Sequence, residues 1–81
     1  MIITLEISDG AISILFNKQL HLLIKEKEFV GLQSWFTDDK PTKYFIEFYL
    51  KTGKIKCEYT CIGRWKQVLE LFNKYNIFNI K

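Results

Sequence analysis

Between Lys43 and Cys61 apolar and polar residues alternate with a period of two, interrupted once, at Thr52-Gly53. In a strand that period sends successive side chains to opposite faces. Tyr44, Ile46, Phe48 and Leu50 therefore share one face of a first strand, and Lys43, Phe45, Glu47, Tyr49 and Lys51 the other. On a second strand Ile55, Cys57, Tyr59 and Cys61 lie opposite Lys54, Lys56, Glu58 and Thr60. A turn centred on Thr52-Gly53, with glycine free to adopt positive φ, sets Leu50 against Ile55, Phe48 against Cys57, Ile46 against Tyr59 and Tyr44 against Cys61. A slip of one residue would bring Leu50 against Lys54 or Lys56, so burial selects this register. It also sets Glu47 against Glu58, a mild like-charge cost on the open face.

The amino-terminal half repeats the pattern. Ile2–Ile7 reads as a strand, and Asp9-Gly10 is a strong hairpin signal. With that pair at the turn, Ile7 faces Ile12, Leu5 faces Ile14 and Ile3 faces Phe16. A three-residue loop, Asn17-Lys18-Gln19, then opposes Phe16 to Leu20, Ile14 to Leu22 and Ile12 to Ile24, giving a third strand over Leu20–Lys25. Lys25-Glu26-Lys27-Glu28 is a charged break. Phe29–Phe36 reads as a fourth strand with conflicting faces: Val30, Leu32, Ser34 and Phe36 on one, Phe29, Gly31, Gln33 and Trp35 on the other. Gly31 marks a bulge or a close approach. Thr37–Thr42 is a polar loop to the fifth strand.

Helical spacing occurs only near the end. Trp65, Val68, Leu69 and Phe72 follow the i, i+3, i+4, i+7 rule of one buried stripe. Gly63 is the N-cap candidate and Asn76 a candidate for the helix end. The following NIFNIK is apolar enough to dock as a short extended piece. The whole predicts an α+β protein: an antiparallel β-meander of about five to six strands with one C-terminal helix packed on one sheet face.

Length and charge narrow the picture. The chain has 81 residues, 48% of them apolar and 16% aromatic, enough for one core, and residues 1–81 are expected to form a single domain. The net charge of +3 is uneven. Residues 1–41 hold four Lys and six acids, giving −2, while residues 42–81 hold seven Lys, Arg64 and three acids, giving +5. Glu6 and Asp9 interrupt the apolar start, so nothing reads as a targeting segment, and no run approaches the roughly 20 apolar residues of a membrane span. Two cysteines without a signal segment imply a reducing, cytoplasmic location.

Candidate chemistry is sparse. His21, the single histidine, sits on strand three on the face opposite Leu22, with no orienting carboxylate or nucleophile in the local pattern. Cys57 and Cys61 share a strand face about 13 Å apart at about 3.3 Å per residue, too far to bridge. Two thiols and a distant histidine fall short of a zinc site, and no metal or other cofactor is expected. Asp38-Asp39 suit turn formation. There is no glycine-rich phosphate loop, P-loop lysine or serine elbow, so an enzyme is not expected.

The open sheet face is the remaining candidate. Phe45 and Tyr49 lie on it, flanked by Lys43, Lys51, Lys54 and Lys56, and Trp35 joins them if strand four pairs next door. Such a face is covered by strands one to three, meets a second copy or another protein, or stacks on bases while lysines hold phosphate. The reading adopted is a small non-catalytic binding module acting through protein–protein contact or self-association. Trp35, Phe45 and Tyr49 serve as apolar anchors, and Lys51 and Lys56 as rim charges. A regulator or inhibitor carried by a phage or mobile element suits the size and the Ile- and Lys-rich composition. The alternative is a single-stranded nucleic-acid-binding protein using the same Lys/aromatic face.

Overall fold

The computed structural model describes residues 2–74. Six strands are formed: β1 (Ile3–Ser8), β2 (Ala11–Phe16), β3 (Gln19–Lys25), β4 (Phe29–Phe36), β5 (Tyr44–Leu50) and β6 (Gly53–Tyr59), followed by one helix, α1 (Ile62–Lys74). All pairings are antiparallel, and the fold is α+β as the sequence pattern requires. The meander is nevertheless split. β1-β2-β3 and β4-β5-β6 are two separate three-stranded sheets. The charged break becomes a 3-10 turn, Glu26–Glu28, whose Glu26 N–H donates to the Gly10 carbonyl at 2.8 Å. That bond is one rung beyond the Ala11–Lys25 pair; past the turn the chain leaves the first sheet and β4 opens a new one.

The first hairpin follows its turn chemistry. Asp9 and Gly10 both take positive φ (53° and 74°), and Ile7 pairs with Ile12, Leu5 with Ile14 and Ile3 with Phe16. The second turn is tighter than the expected three-residue loop. Asn17 and Lys18 alone form it, at φ 52° and 69°, so Phe16 pairs with Gln19 rather than Leu20. Two left-handed residues match the strand twist, and Asn17 is pinned from both sides: its Oδ1 accepts the Ile2 N–H at 2.9 Å and its own N–H donates to the Ile2 carbonyl at 2.7 Å. A bulge at His21 absorbs the difference, restoring Ile14–Leu22 and Ile12–Ile24.

The third hairpin turns one residue earlier than expected, at Lys51-Thr52, which shifts the pairing by two. Leu50 pairs with Gly53, Phe48 with Ile55, Ile46 with Cys57 and Tyr44 with Tyr59. A slip of two leaves every side chain on its face, so burial cannot distinguish the registers. Charge can. The expected register would oppose Glu47 to Glu58 and Lys51 to Lys54, whereas the observed one sets Glu47 against Lys56 and Phe45 against Glu58. The turn is also anchored by Glu28, whose carbonyl accepts the Lys51 N–H at 2.9 Å and whose Oε1 accepts the Thr52 hydroxyl at 3.1 Å.

The conflicting faces of β4 are resolved by a bulge at Val30. Phe29 pairs with Leu50, Leu32 with Phe48 and Phe36 with Tyr44, all on the inner face, while Gly31, Gln33 and Trp35 oppose Tyr49, Glu47 and Phe45 on the outer one. One core joins both sheets and the helix. Leu5, Ile12, Ile14 and Ile24 from the first sheet meet Ile46, Phe48 and Tyr59 from the second, with Val68 and Phe72 of α1. Phe72 packs on Phe48 and Phe29, at ring-centroid distances of 5.2 and 5.8 Å. The helix begins at Ile62, so Cys61, not Gly63, holds the N-cap position, and the Cys61 carbonyl accepts the Trp65 N–H at 3.3 Å. The expected helix end at Asn76 and the NIFNIK segment lie outside the described residues. No described helix is long and apolar enough to cross a membrane.

Candidate binding face

Because the first sheet and α1 both pack on the inner face of β4-β5-β6, no element among the described residues covers its outer face. Three cross-strand rows occupy it: Trp35–Phe45–Glu58, Gln33–Glu47–Lys56 and Gly31–Tyr49–Lys54. The rows form two linked groups, one aromatic and one polar.

In the aromatic group the Trp35 and Phe45 rings stack 5.2 Å apart at 19°. The Lys56 ammonium lies 4.9 Å from the Phe45 ring centroid and 5.8 Å from that of Trp35, within cation–π range of both. Phe45 is only 8% exposed, yet it stands apart from the core cluster. Its burial comes from Trp35 on one side and the Lys56 stem above, a case of a long charged side chain covering apolar surface. From beneath the sheet, the Trp65 indole N–H donates to the Phe45 carbonyl at 2.8 Å. The strand is therefore gripped on both faces at residue 45.

In the polar group the Tyr49 hydroxyl lies 2.8 Å from Glu47 Oε1 and 3.0 Å from the Gln33 side-chain oxygen. A phenol carries one proton, and it goes to the carboxylate, where the bond is charge-assisted. Turning the Gln33 amide lets its NH₂ donate to the phenol oxygen and completes the set. The bond to Glu47 raises the Tyr49 pKa above the usual phenol range. Glu47 in turn pairs with Lys54 at 3.6 Å.

Among the residues expected at this site, Trp35, Phe45 and Lys56 are brought into direct contact and Tyr49 stands on the same face beyond Glu47. Lys51 is exposed in the β5–β6 turn, past the Tyr49 row and away from the stacked rings. Glu47 and Lys54 were expected on this face and Gln33 beside Trp35, but their linkage through the Tyr49 hydroxyl was not anticipated. Only the register that sets lysines opposite Glu47 and Tyr49 reveals it. The outer face of the first sheet also leaves Leu20 and Leu23 exposed.

His21 lies elsewhere. The bulge turns its ring onto Phe16, stacked at 4.1 Å and 13°, and its Nε2 is 3.2 Å from the Tyr59 hydroxyl. Among the described residues no carboxylate hydrogen-bonds to it. The ring face against Phe16 is dry enough to hold the imidazole below its usual pKa, while burial raises the pKa of Tyr59 and of Cys57, which share a hydrogen bond. Imidazole, phenol and thiol are thus all biased toward their neutral forms, and the group ties β3 to β6. Cys61 is exposed, and the N–H groups of Arg64 and Gly63 at the start of α1 lower its thiol pKa. Asp38 and Asp39 are exposed in the β4–β5 loop. Compared with protein-family models, curated proteins and solved structures, the chain matches none.

Proposed function

We propose that the chain is a small non-catalytic binding module that acts through protein–protein contact on the outer face of β4-β5-β6, in the manner of a regulator or inhibitor. Trp35, Phe45 and Tyr49 are the apolar anchors, and Lys51 and Lys56 are rim charges. The supporting observation is the Trp35–Phe45 stack capped by Lys56 on a face that neither α1 nor the first sheet covers. Aromatic rings ringed by polar groups are the usual composition of an interface centre. Stacking fixes Trp35 before a partner arrives, which lowers the ordering cost of binding.

The same face suits nucleic acid less well. Glu47 and Glu58 lie among the lysines, Glu47 neutralises Lys54, and the Tyr49 hydroxyl is committed to a carboxylate. The deciding experiment immobilises the full chain and compares it with Trp35→Ala and Tyr49→Ala, both shown folded by circular dichroism. The expected result is a protein retained by the parent chain, lost with either variant and insensitive to nuclease. Retention of nucleic acid, weakening steeply as salt rises through counterion release, would transfer the face to the alternative reading. Retention indifferent to both substitutions would remove the face as a binding surface.

A further inference from the structure

Each sheet has two edge strands, and in this fold three of the four are guarded by charge. β1 carries Glu6, β3 ends in Lys25, and β6 carries Lys54, Lys56 and Glu58. β4 is the exception. It is the longest strand, eight residues, and FVGLQSWF contains neither a charge nor a proline. Charges, prolines, bulges and covering elements are the usual means by which edges are kept from pairing with another chain, and the one bulge in β4, at Val30, leaves Gly31–Phe36 in regular register. Among the described residues β4 pairs with β5 alone.

The direction of its free groups follows from the register. The Thr37 N–H donates to the Lys43 carbonyl at 2.9 Å, at the end of the ladder in which Trp35 opposes Phe45 and Gln33 opposes Glu47. Hydrogen-bonded pairs alternate along an antiparallel ladder, so the odd-numbered residues turn their backbone groups to β5. Leu32, Ser34 and Phe36 turn theirs outward.

We infer that β4 is a self-association site, at which a second copy of this chain adds its own β4 antiparallel across a two-fold axis at Ser34. Ser34 then meets Ser34 of the second copy, Leu32 meets Phe36, and Gln33 meets Trp35. An axis perpendicular to the sheet keeps inner side chains inner and outer ones outer. Phe36, 57% exposed in the monomer, gains a leucine neighbour on each side of the axis. The charge pattern is what selects a second copy. A chain of net charge +3 can pair with itself only where like charges do not meet, and β4 brings none to the contact. The product is one six-stranded sheet with both helices on one side and a doubled outer face on the other. The inference uses backbone groups at the edge, not the aromatic face, and stands without the proposed function.

Sedimentation of the full chain over a concentration series tests it, with three variants and amide hydrogen exchange alongside. Ser34→Pro removes only an outward N–H, a substitution an edge strand tolerates. Ser34→Lys places two ammonium groups together on the axis and serves if the proline variant fails to fold. The parent chain is expected to dimerise, with exchange at Ser34 and Phe36 slowing as concentration rises. Either Ser34 variant should weaken the dimer by about tenfold or more, and Tyr49→Ala should leave it unchanged. A parent chain that stays monomeric to about 1 mM overturns the inference. So does a dimer that survives in a folded Ser34 variant. A dimer lost in Tyr49→Ala overturns it too, and places self-contact on the outer face.

Discussion

Phe45 and Phe48 are nearly equal in exposure, 8% and 0%, but they are buried by different means. That difference makes a sharp stability experiment. Phe48 lies in the core shared by both sheets and α1, with Phe72 packed on it at 5.2 Å. Its replacement by alanine leaves a hole closed on all sides, and the expected cost is about 4 kcal/mol, transfer and cavity terms together. Phe45 is covered by one indole ring and one lysine stem on a solvent-facing sheet. In Phe45→Ala both can settle into the vacated space, so the cavity contribution falls away. The expected loss is about 2 kcal/mol, mostly transfer. Urea unfolding followed by far-UV circular dichroism measures both. With a slope of roughly 1 kcal/mol per M for a chain this small, the two midpoints should differ by about 2 M. Equal losses would mean that Phe45 sits in a closed core, and the outer face would no longer be a free surface.

Three further outcomes are expected. The folded His21 pKa is held below the unfolded value of about 6.5, so the unfolded chain binds the proton first. Stability is complete above about pH 6.5 and falls as pH drops toward the folded pKa, by less than about 1.4 kcal/mol per pH unit for this part-exposed ring. His21→Gln should flatten melting temperature between about pH 7 and 5.5, and an unchanged slope would remove His21 as the cause. Cys61, its thiol pKa lowered by two N–H groups at the start of α1, should react with a disulfide reagent at neutral pH well before Cys57, whose thiol pKa burial raises; equal rates would contradict that cap. Lys56→Glu restores a like-charge pair opposite Glu47 and removes the ammonium above Phe45. It should cost about 1 kcal/mol at low salt and less at high salt, measured by urea unfolding; a salt-independent loss would rule out charge as the reason.

What the sequence made legible was the assignment of faces. Alternation over residues 44–59 placed Ile46 and Phe48 inward and Phe45 and Tyr49 outward, and there they lie. Parity cannot see a shift of two, so the Thr52-Gly53 signal misplaced the turn; the charge pairs at Glu47 and Lys51 held the missing information. Parity also fails at bulges. One extra residue at Val30 turned Phe29 inward beside Leu32, and one at His21 turned the imidazole onto Phe16. The split into two sheets was not legible at all. It is made at the Glu26–Glu28 turn, where the first ladder ends one rung past Ala11–Lys25, and three charged residues carry no alternation from which a change of direction could be read. The candidate site was half visible: the anchors could be read from alternation, but the Gln33–Tyr49–Glu47–Lys54 set depends on the final register.

The two tryptophans stand back to back across β5, and this supplies a built-in pair of optical reporters. Trp65 is half-buried, with its indole N–H engaged and its ring edge-on to Phe36, so its emission should lie toward the blue and resist iodide. Trp35, on the opposite side next to an ammonium group, should emit further to the red and be quenched by the same anion. Any molecule that settles over the stacked rings would shield one lamp and leave the other unaltered, so occupancy could be followed without attaching a label.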